Sequence, residues 1–375
     1  MSADAWNRLL LGTADASPFA RHEYLRAIHD SGCASDRSGW VPRFITLWQG
    51  EQLCAACALY LKAHSYGEYV FDWAWANAYA SHGMSYYPKG LVAIPFTPVP
   101  GARLLARDEV ARQALLRAVL QHVRDLGLSS LHLLFLQPED LRACESAGLM
   151  LRHTVQFHWH NAGHTSFEAF LGALSQDKRK KIRQERRKVH DAGVRFRALR
   201  GSDITRADWD FFYRCYERTY REHGNPPYLN RDFFARVGES LAEHWLLFVA
   251  ERDGLPIACS LIALDPALKV AYGRYWGALE RVDCLHFEAC YYQPLAWCID
   301  QGYRRFEGGA QGEHKMARAL MPATTTSAHW LAHPAFAEAV ERFLEREREG
   351  VSGYLEHLAA RTPLRSSGGP ETAND

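Results

Sequence analysis

No stretch of this 375-residue chain approaches the ~20 consecutive apolar residues that a membrane-spanning helix needs, so no such helix is expected. The first residues, Met1 to Phe19, carry one three-leucine run with no basic segment ahead of it, which argues against a secretory leader. Charge of one sign is also lacking. With 44 basic and 43 acidic residues the formal net charge is +1, so no overall field makes nucleic acid or membrane an obligate partner. The nine cysteines are scattered and odd in number, a pattern that reads as reduced thiols in a cytoplasmic protein. The one close pair, Cys54 and Cys57, has no second pair at ligand spacing and reads as two small buried hydrophobes. Hydrophobic residues make up 47% and charged residues 23%, which excludes a disordered or fibrous chain. The length suggests two domains.

Alternation and breaker residues predict the elements in order. PFARHEYLRAIHDS (18–31) reads as an amphipathic helix stopped by Gly32, and FITLW and CAACALYL read as a hairpin around Gln49 to Gln52. The strand LVAIPF, a loop, the helix Asp108–Gly127 and the strand LSSLHLLFL form one β-loop-α-β unit. Asp108 supplies the acidic start and residues 110, 115, 116, 119, 120, 123 and 126 the apolar stripe. In the second half, three antiparallel strands lead to AYGRYWGAL, a helix from Leu285 to Gln301, and YRRFEGGA, repeating the same order. A duplicated architecture follows.

Two stretches carry chemistry. HSYGEYVFDWAWANAYASHGMSYYPK places His64, Ser65, Glu68, Asp72, Trp73, Trp75, Tyr87 and Lys89 in one aromatic segment, a mixture expected of a pocket wall or of a wet aromatic surface. Tyr272 to Thr326 carries Arg274, Tyr275, Trp276, His286, Glu288, Tyr292, Glu307, Gln311, Glu313, His314, Lys315 and Arg318 where a plain core would carry aliphatics. Between them, residues 178–188 hold eight Lys or Arg and one Glu, fit either to contact phosphates or to form a solvated connecting helix. His158 and His160 alternate on a strand, which explains the pair without a metal.

The motifs HSYGEYVFDWAWA, YYPK, PFTPVPGARLL, YGRYWG, LHFEACYYQ and EGGAQGEHKMAR resemble the FemAB-like predicted N-acyltransferases of the GNAT superfamily, over about residues 20 to 350. The resemblance implies an α/β chain with a duplicated GNAT-like fold, two mixed sheets flanked by helices. The expected division is a first GNAT-like domain at 1–165, a basic helical connector at 166–192, a second GNAT-like domain at 193–354 and a disordered tail at 355–375. It also implies transfer of an acyl or aminoacyl group to an amine in peptidoglycan-related chemistry, the donor being acyl-CoA or aminoacyl-tRNA. The first phosphate-cradling loop would be Val99 to Arg103, with Gly101 and Arg103 as donor-binding residues, whereas the second, Leu279 to Asp283, has no glycine. Lys178 to Lys188 would be the tRNA contact.

Amine acylation needs a base, donors for the tetrahedral oxyanion and a proton for the leaving group. Glu288 or Glu313 is expected as base, His286 or His314 as proton relay, and Arg274, Lys315 and Arg318 as anion binders. His286 and Glu288 lie about 200° apart around a helix, so both reach one site only from the helix start. The same residues admit other readings. A buried ion-pair network of Arg274, Glu288, Glu307 and Lys315 is one, and a metal set of His286, Glu288, Glu313 and His314 is another. A non-catalytic module binding a peptide, a cell-wall fragment or charged RNA is the alternative function.

Overall fold

The computed structural model describes residues 1–309 and 312–365. Helices α1 (Ala3–Leu11) and α2 (His22–Asp30) open the chain. Strands β1 (Trp40–Pro42), β2 (Ile45–Gln49), β3 (Gln52–Cys57) and β4 (Leu59–Lys62) follow, then α3 (Trp73–Ser81), β5 (Lys89–Val92) and β6 (Leu105–Ala106). The first half closes with α4 (Glu109–Asp125), β7 (Ser130–Leu133), α5 (Pro138–Ser146) and β8 (Met150–His160). Helices α6 (Phe167–Gly172) and α7 (Gln176–Asp191) lead to β9 (Arg195–Arg200), α8 (Arg206–Glu222) and α9 (Arg231–Ser240). Strands β10 (Trp245–Arg252), β11 (Leu255–Asp265) and β12 (Val270–Ala278) precede α10 (Leu285–Phe287), a π-helical turn at Glu288–Tyr292 and α11 (Gln293–Asp300). Last come β13 (Arg305–Glu307), β14 (Met321–Leu331) and α12 (Pro334–Ala360).

In place of the two expected mixed sheets there is one large mixed sheet running through both halves and a small antiparallel one. Eleven strands form one sheet in the order β1-β4-β5-β7-β14-β8-β13-β12-β11-β10-β9, and β2, β3 and β6 form a small second one. Strand β14, from the end of the chain, runs between β7 and β8 of the first half, and β8 in turn pairs with β13. The halves are therefore interlocked by exchanged strands. One core passes through both, joining Tyr60, Leu91 and Phe96 to Leu247, Val249 and Leu261, with α1, α2, α8 and α9 packed on it.

Local chemistry explains the elements that position the site. Asp108 caps α4 by accepting from the Ala111 N–H at 2.8 Å, and Leu115, Leu116, Val119, Leu120 and Val123 turn inward. In α7 only Ile182, Glu185 and Val189 are buried, at helical spacing, and the basic residues face out. The predicted single helix at 285–301 is interrupted. Pro294 has no N–H to offer and its ring crowds the preceding turn, and the chain widens into a π turn before it. The disordered tail expected from 355 is not found over 355–365, where α12 continues to Ala360 and Pro363 accepts from the Ser175 N–H at 2.9 Å. Residues 366–375 lie outside the described residues.

The repeated β-loop-α-β unit is visible as two parallel strand pairs, β5 with β7 and β12 with β13. Each pair is three residues long and then parts. Past Val92 and Leu133 the first pair diverges, and past Tyr272 and Glu307 the second does, while β12 runs on to Ala278 against β11 alone.

Candidate active site

The first gap is filled from within. Arg103, 3% exposed, donates to the carbonyls of Leu134 at 2.8 Å, Val99 at 2.6 Å and Ala102 at 3.1 Å. Asp140 accepts from the Arg103 and Leu104 N–H groups at 2.6 and 3.2 Å. Gly101 joins the sheet end, its N–H bonded to the Phe135 carbonyl at 3.0 Å. The expected phosphate-cradling role of Gly101 and Arg103 therefore gives way to a structural one, because the guanidinium is buried and turned inward onto three carbonyls.

The second gap is different. Gly308 and Gly309 follow Glu307, and a Cβ at Gly308 would stand 2.4 Å from Leu320 and 3.2 Å from the Lys315 side chain. That space lets Lys315 fold under the turn, 4% exposed, with its ammonium donating to the Gly309 carbonyl at 3.1 Å. No carboxylate lies within ion-pair distance of it among the described residues. Burial pushes Lys315 down to about 8. Near it stand Cys290, His286 and His314, with Trp276 and Tyr291 packed against His286. The rings of His286 lie 5.4 Å from Trp276, 5.8 Å from Tyr291 and 6.4 Å from His314, and the Tyr291 hydroxyl shares a 3.1 Å hydrogen bond with His314 Nε2. Burial, with the cations nearby, lowers His286 to about 4 and also lowers His314, so both are neutral at pH 7.

The two expected bases are elsewhere. Glu313 is exposed and points to α12, accepting from the Tyr354 hydroxyl at 2.8 Å with Arg361 at 3.7 Å. Glu288 is buried against α7, held by Arg186 at 3.1 Å and by the Gln293 amide at 2.7 Å. Arg318 is not free to bind a donor. It reaches both oxygens of Glu185 at 2.9 and 3.1 Å, the Tyr292 hydroxyl at 3.1 Å and the His314 carbonyl at 2.8 Å, and lies 3.7 Å from the Phe287 ring. Tyr292 donates to Glu185 as well. The supposed network of Arg274, Glu288, Glu307 and Lys315 does not form, since none of these four pairs with another. Nor do His286, Glu288, Glu313 and His314 converge, and no metal-binding cluster occurs among the described residues. Gln311 lies outside them.

The aromatic segment of the first half is a sealed network rather than a pocket wall. The Lys89 ammonium donates to Ser65 and Glu68, both at 2.8 Å, and to Asp72. Lys62 stands 4.0 Å from Glu68 and 3.9 Å from the Trp40 ring. Asp72 accepts from Tyr86 at 2.6 Å, Tyr86 touches His132 at 3.0 Å, and His132 meets His329 on β14 at 2.7 Å. Trp75 is buried beside both histidines, while Tyr87 bonds Ser65 at 2.8 Å. Burial drives Lys62 down to about 7, Glu68 up to about 7 and His132 down to about 3. Of the segment's site candidates Trp73 is exposed and His64 and Tyr87 are half-buried, and His64 and Trp73 flank the exposed Tyr66 at 5.3 and 5.1 Å. Arg274 ties the two segments by donating to the Phe96 carbonyl at 3.0 Å, with the Tyr275 hydroxyl at 3.2 Å.

Several functional candidates were not singled out from sequence. Glu185, the lone acid of the basic run, sits at the buried spacing of Ile182 and Val189 and was legible there. His132 and His329 were not, being 197 residues apart. On its outer side α7 lines a cavity of about 510 Å³ with Arg183, Arg186, Arg187 and Arg195, floored by Glu288 and Gln293.

A family model described as peptidoglycan biosynthesis/recognition, FemAB-like, matches residues 1–366. The chain belongs to the FemAB-like family. Among solved structures, this FemAB-like protein is similar to FemX, at 10% identity and a TM-score of 0.56, covering 91% of this chain and 98% of that one. It is also similar to L-PGS from Bacillus licheniformis, at 11% identity and a TM-score of 0.55, covering 92% and 97%. Identities this low establish the shared fold. No curated protein sequence is significantly similar. Family membership places the chain among proteins of peptidoglycan biosynthesis or recognition. Among the described residues no helix is long and apolar enough to cross a membrane.

Proposed function

We propose that this FemAB-like protein transfers an aminoacyl group from a polyanionic carrier, of which aminoacyl-tRNA is the type, to an amine, and that transfer takes place where β12 and β13 part. The observation that carries the reading is the contrast between the two gaps. The first is occupied by Arg103, whereas the second holds Lys315, a buried cation whose described partner is a single carbonyl. Attack of the amine forms the C–N bond and moves the carbonyl electrons onto oxygen. Collapse then breaks the bond to the leaving hydroxyl or thiol, which takes up a proton. A dry ammonium beside the reacting carbonyl stabilises that oxyanion far more than a solvated one would.

The carrier would lie along α7. Its 16 residues span about 24 Å at 1.5 Å per residue, far more than one diphosphate requires. The loop at Leu279 to Asp283 offers no glycine cradle for the diphosphate of a coenzyme. Glu185 and Glu288 hold α7 against the site by their ion pairs to Arg318 and Arg186.

The test is to supply aminoacyl-tRNA and acyl-CoA separately with a panel of amines and to follow amide formation by mass spectrometry. Product from the tRNA donor, and not from acyl-CoA, is expected. The triple change Lys180→Glu, Arg183→Glu and Arg187→Glu should weaken carrier binding and flatten its salt dependence by about 0.7–0.9 in log–log slope per lost phosphate contact. Efficient transfer from acyl-CoA, with tRNA binding indifferent to salt, would remove the polyanion reading.

A further inference from the structure

Strand β13 presents its residues to opposite sides of the sheet. Phe306 enters the core under α6, α7 and α11, whereas Tyr272, the direct partner of Glu307, lies in the core under α2 and α8. Paired residues share a face, so Glu307 looks to the second side, away from the ring of residues around Lys315. There its Oε1 is 3.1 Å from Arg305 Nε, while Oε2 is buried with no hydrogen-bond partner among the described residues, 3.9 Å from His158 Nε2. Two residues along β12 on that face is Arg274, 5.0 Å over the Phe19 ring, whose buried Nε is likewise without a partner. Tyrosines from both halves, Tyr24, Tyr69 and Tyr275, crowd its guanidinium, which is charged at neutral pH as any arginine is.

We propose that this face, at the seam of the two halves, is the acceptor subsite, that Arg274 binds an acid group carried by the acceptor, and that Glu307 takes the proton from its amine. The proposal rests on the transfer reading above and adds the class of acceptor, an amine that also bears a carboxylate or phosphate. The acceptor enters from the α2 and α8 side and the activated acyl group from the α7 side, and they meet only where the strands part. The step balances: the ammonium gives its proton to the Glu307 carboxylate, the free amine attacks, and the departing oxygen or sulfur is protonated as the amide forms.

Two further features fit. Burial raises Glu307 to about 7, opposed by Arg305, which suits a base working near neutrality. The groups facing it are Arg305 on its own strand, His158 on β8, Tyr272 and Arg274 on β12, and Asp15 ahead of α2. His158 is held neutral by burial and so adds no charge.

Calorimetric titration of the whole protein with glycylglycine, O-phosphoethanolamine and ethanolamine tests the subsite without turnover. At least one acid-bearing amine should bind tenfold or more tighter than ethanolamine, and which one does so identifies the acid. Arg274→Met should abolish the difference and Arg274→Lys restore part of it. Glu307→Gln should leave binding within about threefold while cutting transfer about 100-fold and removing the rise in rate near pH 7. Equal binding of ethanolamine, or discrimination surviving in Arg274→Met, overturns the acid-binding assignment, and undiminished transfer by Glu307→Gln overturns the base. If the acid-bearing amine binds as expected but no donor yields product, the transfer reading falls and the subsite stands.

Discussion

His132 on β7 and His329 on β14 meet through their Nδ1 atoms at 2.7 Å, so one ring must donate and the other accept. Ser130 reaches the far nitrogen of His132, and Ser327 that of His329, each at 2.8 Å. The contact is lost once both rings are protonated, since neither Nδ1 can then accept. It pins the crossing strand to the first half's sheet.

Acid should loosen that pin. Burial holds both histidines well below the ordinary value of 6.5, His132 at about 3. The unfolded chain therefore binds protons first, and stability is full above pH 6.5 and falls as pH drops below it. At pH 5 His132 alone should cost about 2 kcal/mol by linkage. Urea midpoints at pH 7 and pH 5 should show the loss, and His132→Leu with His329→Leu should shrink it. A midpoint flat across that range in the wild type would contradict the pinning role.

Lys315→Met should cost about 3 kcal/mol of transition-state stabilisation, or 100-fold in kcat, if the ammonium faces the oxyanion. The melting temperature should hold or rise, since a buried unpaired charge is removed. Because burial places its pKa at about 8, the wild-type rate should fall above that pH as the ammonium is lost. Lys315→Arg should carry the alkaline limb upward. Rate measurements from pH 6 to 10 decide.

Arg103→Met should destabilise by about 3 kcal/mol, because it leaves three buried carbonyls without their donor. Its effect on transfer should be confined to that loss of stability. A melting curve beside an assay at low temperature separates the two, and a large fall in kcat with stability intact would restore a catalytic role to the first gap.

The β-loop-α-β repeat was legible because Asp108 and an apolar stripe announce α4, and the same order recurs at AYGRYWGAL. The basic helix was legible from eight cations in eleven residues. The site was only half legible, because polar residues in an aromatic run read alike whether they line a cavity or satisfy one another. Ser65, Glu68, Asp72 and Lys89 do the latter, with a partner ring from β14 that local pattern does not reveal. Arg318 was taken for an anion binder for the same reason, its carboxylate partner lying 133 residues earlier. Sequence places Glu307 only in a polar stretch or an ion-pair network, since which face it takes depends on its pairing with Tyr272.

The place of β14 has a consequence for synthesis. A nascent chain that has delivered β7 and β8 holds two strands with unfilled backbone donors and acceptors until Met321 to Leu331 emerges. The first half, though made first, is completed last.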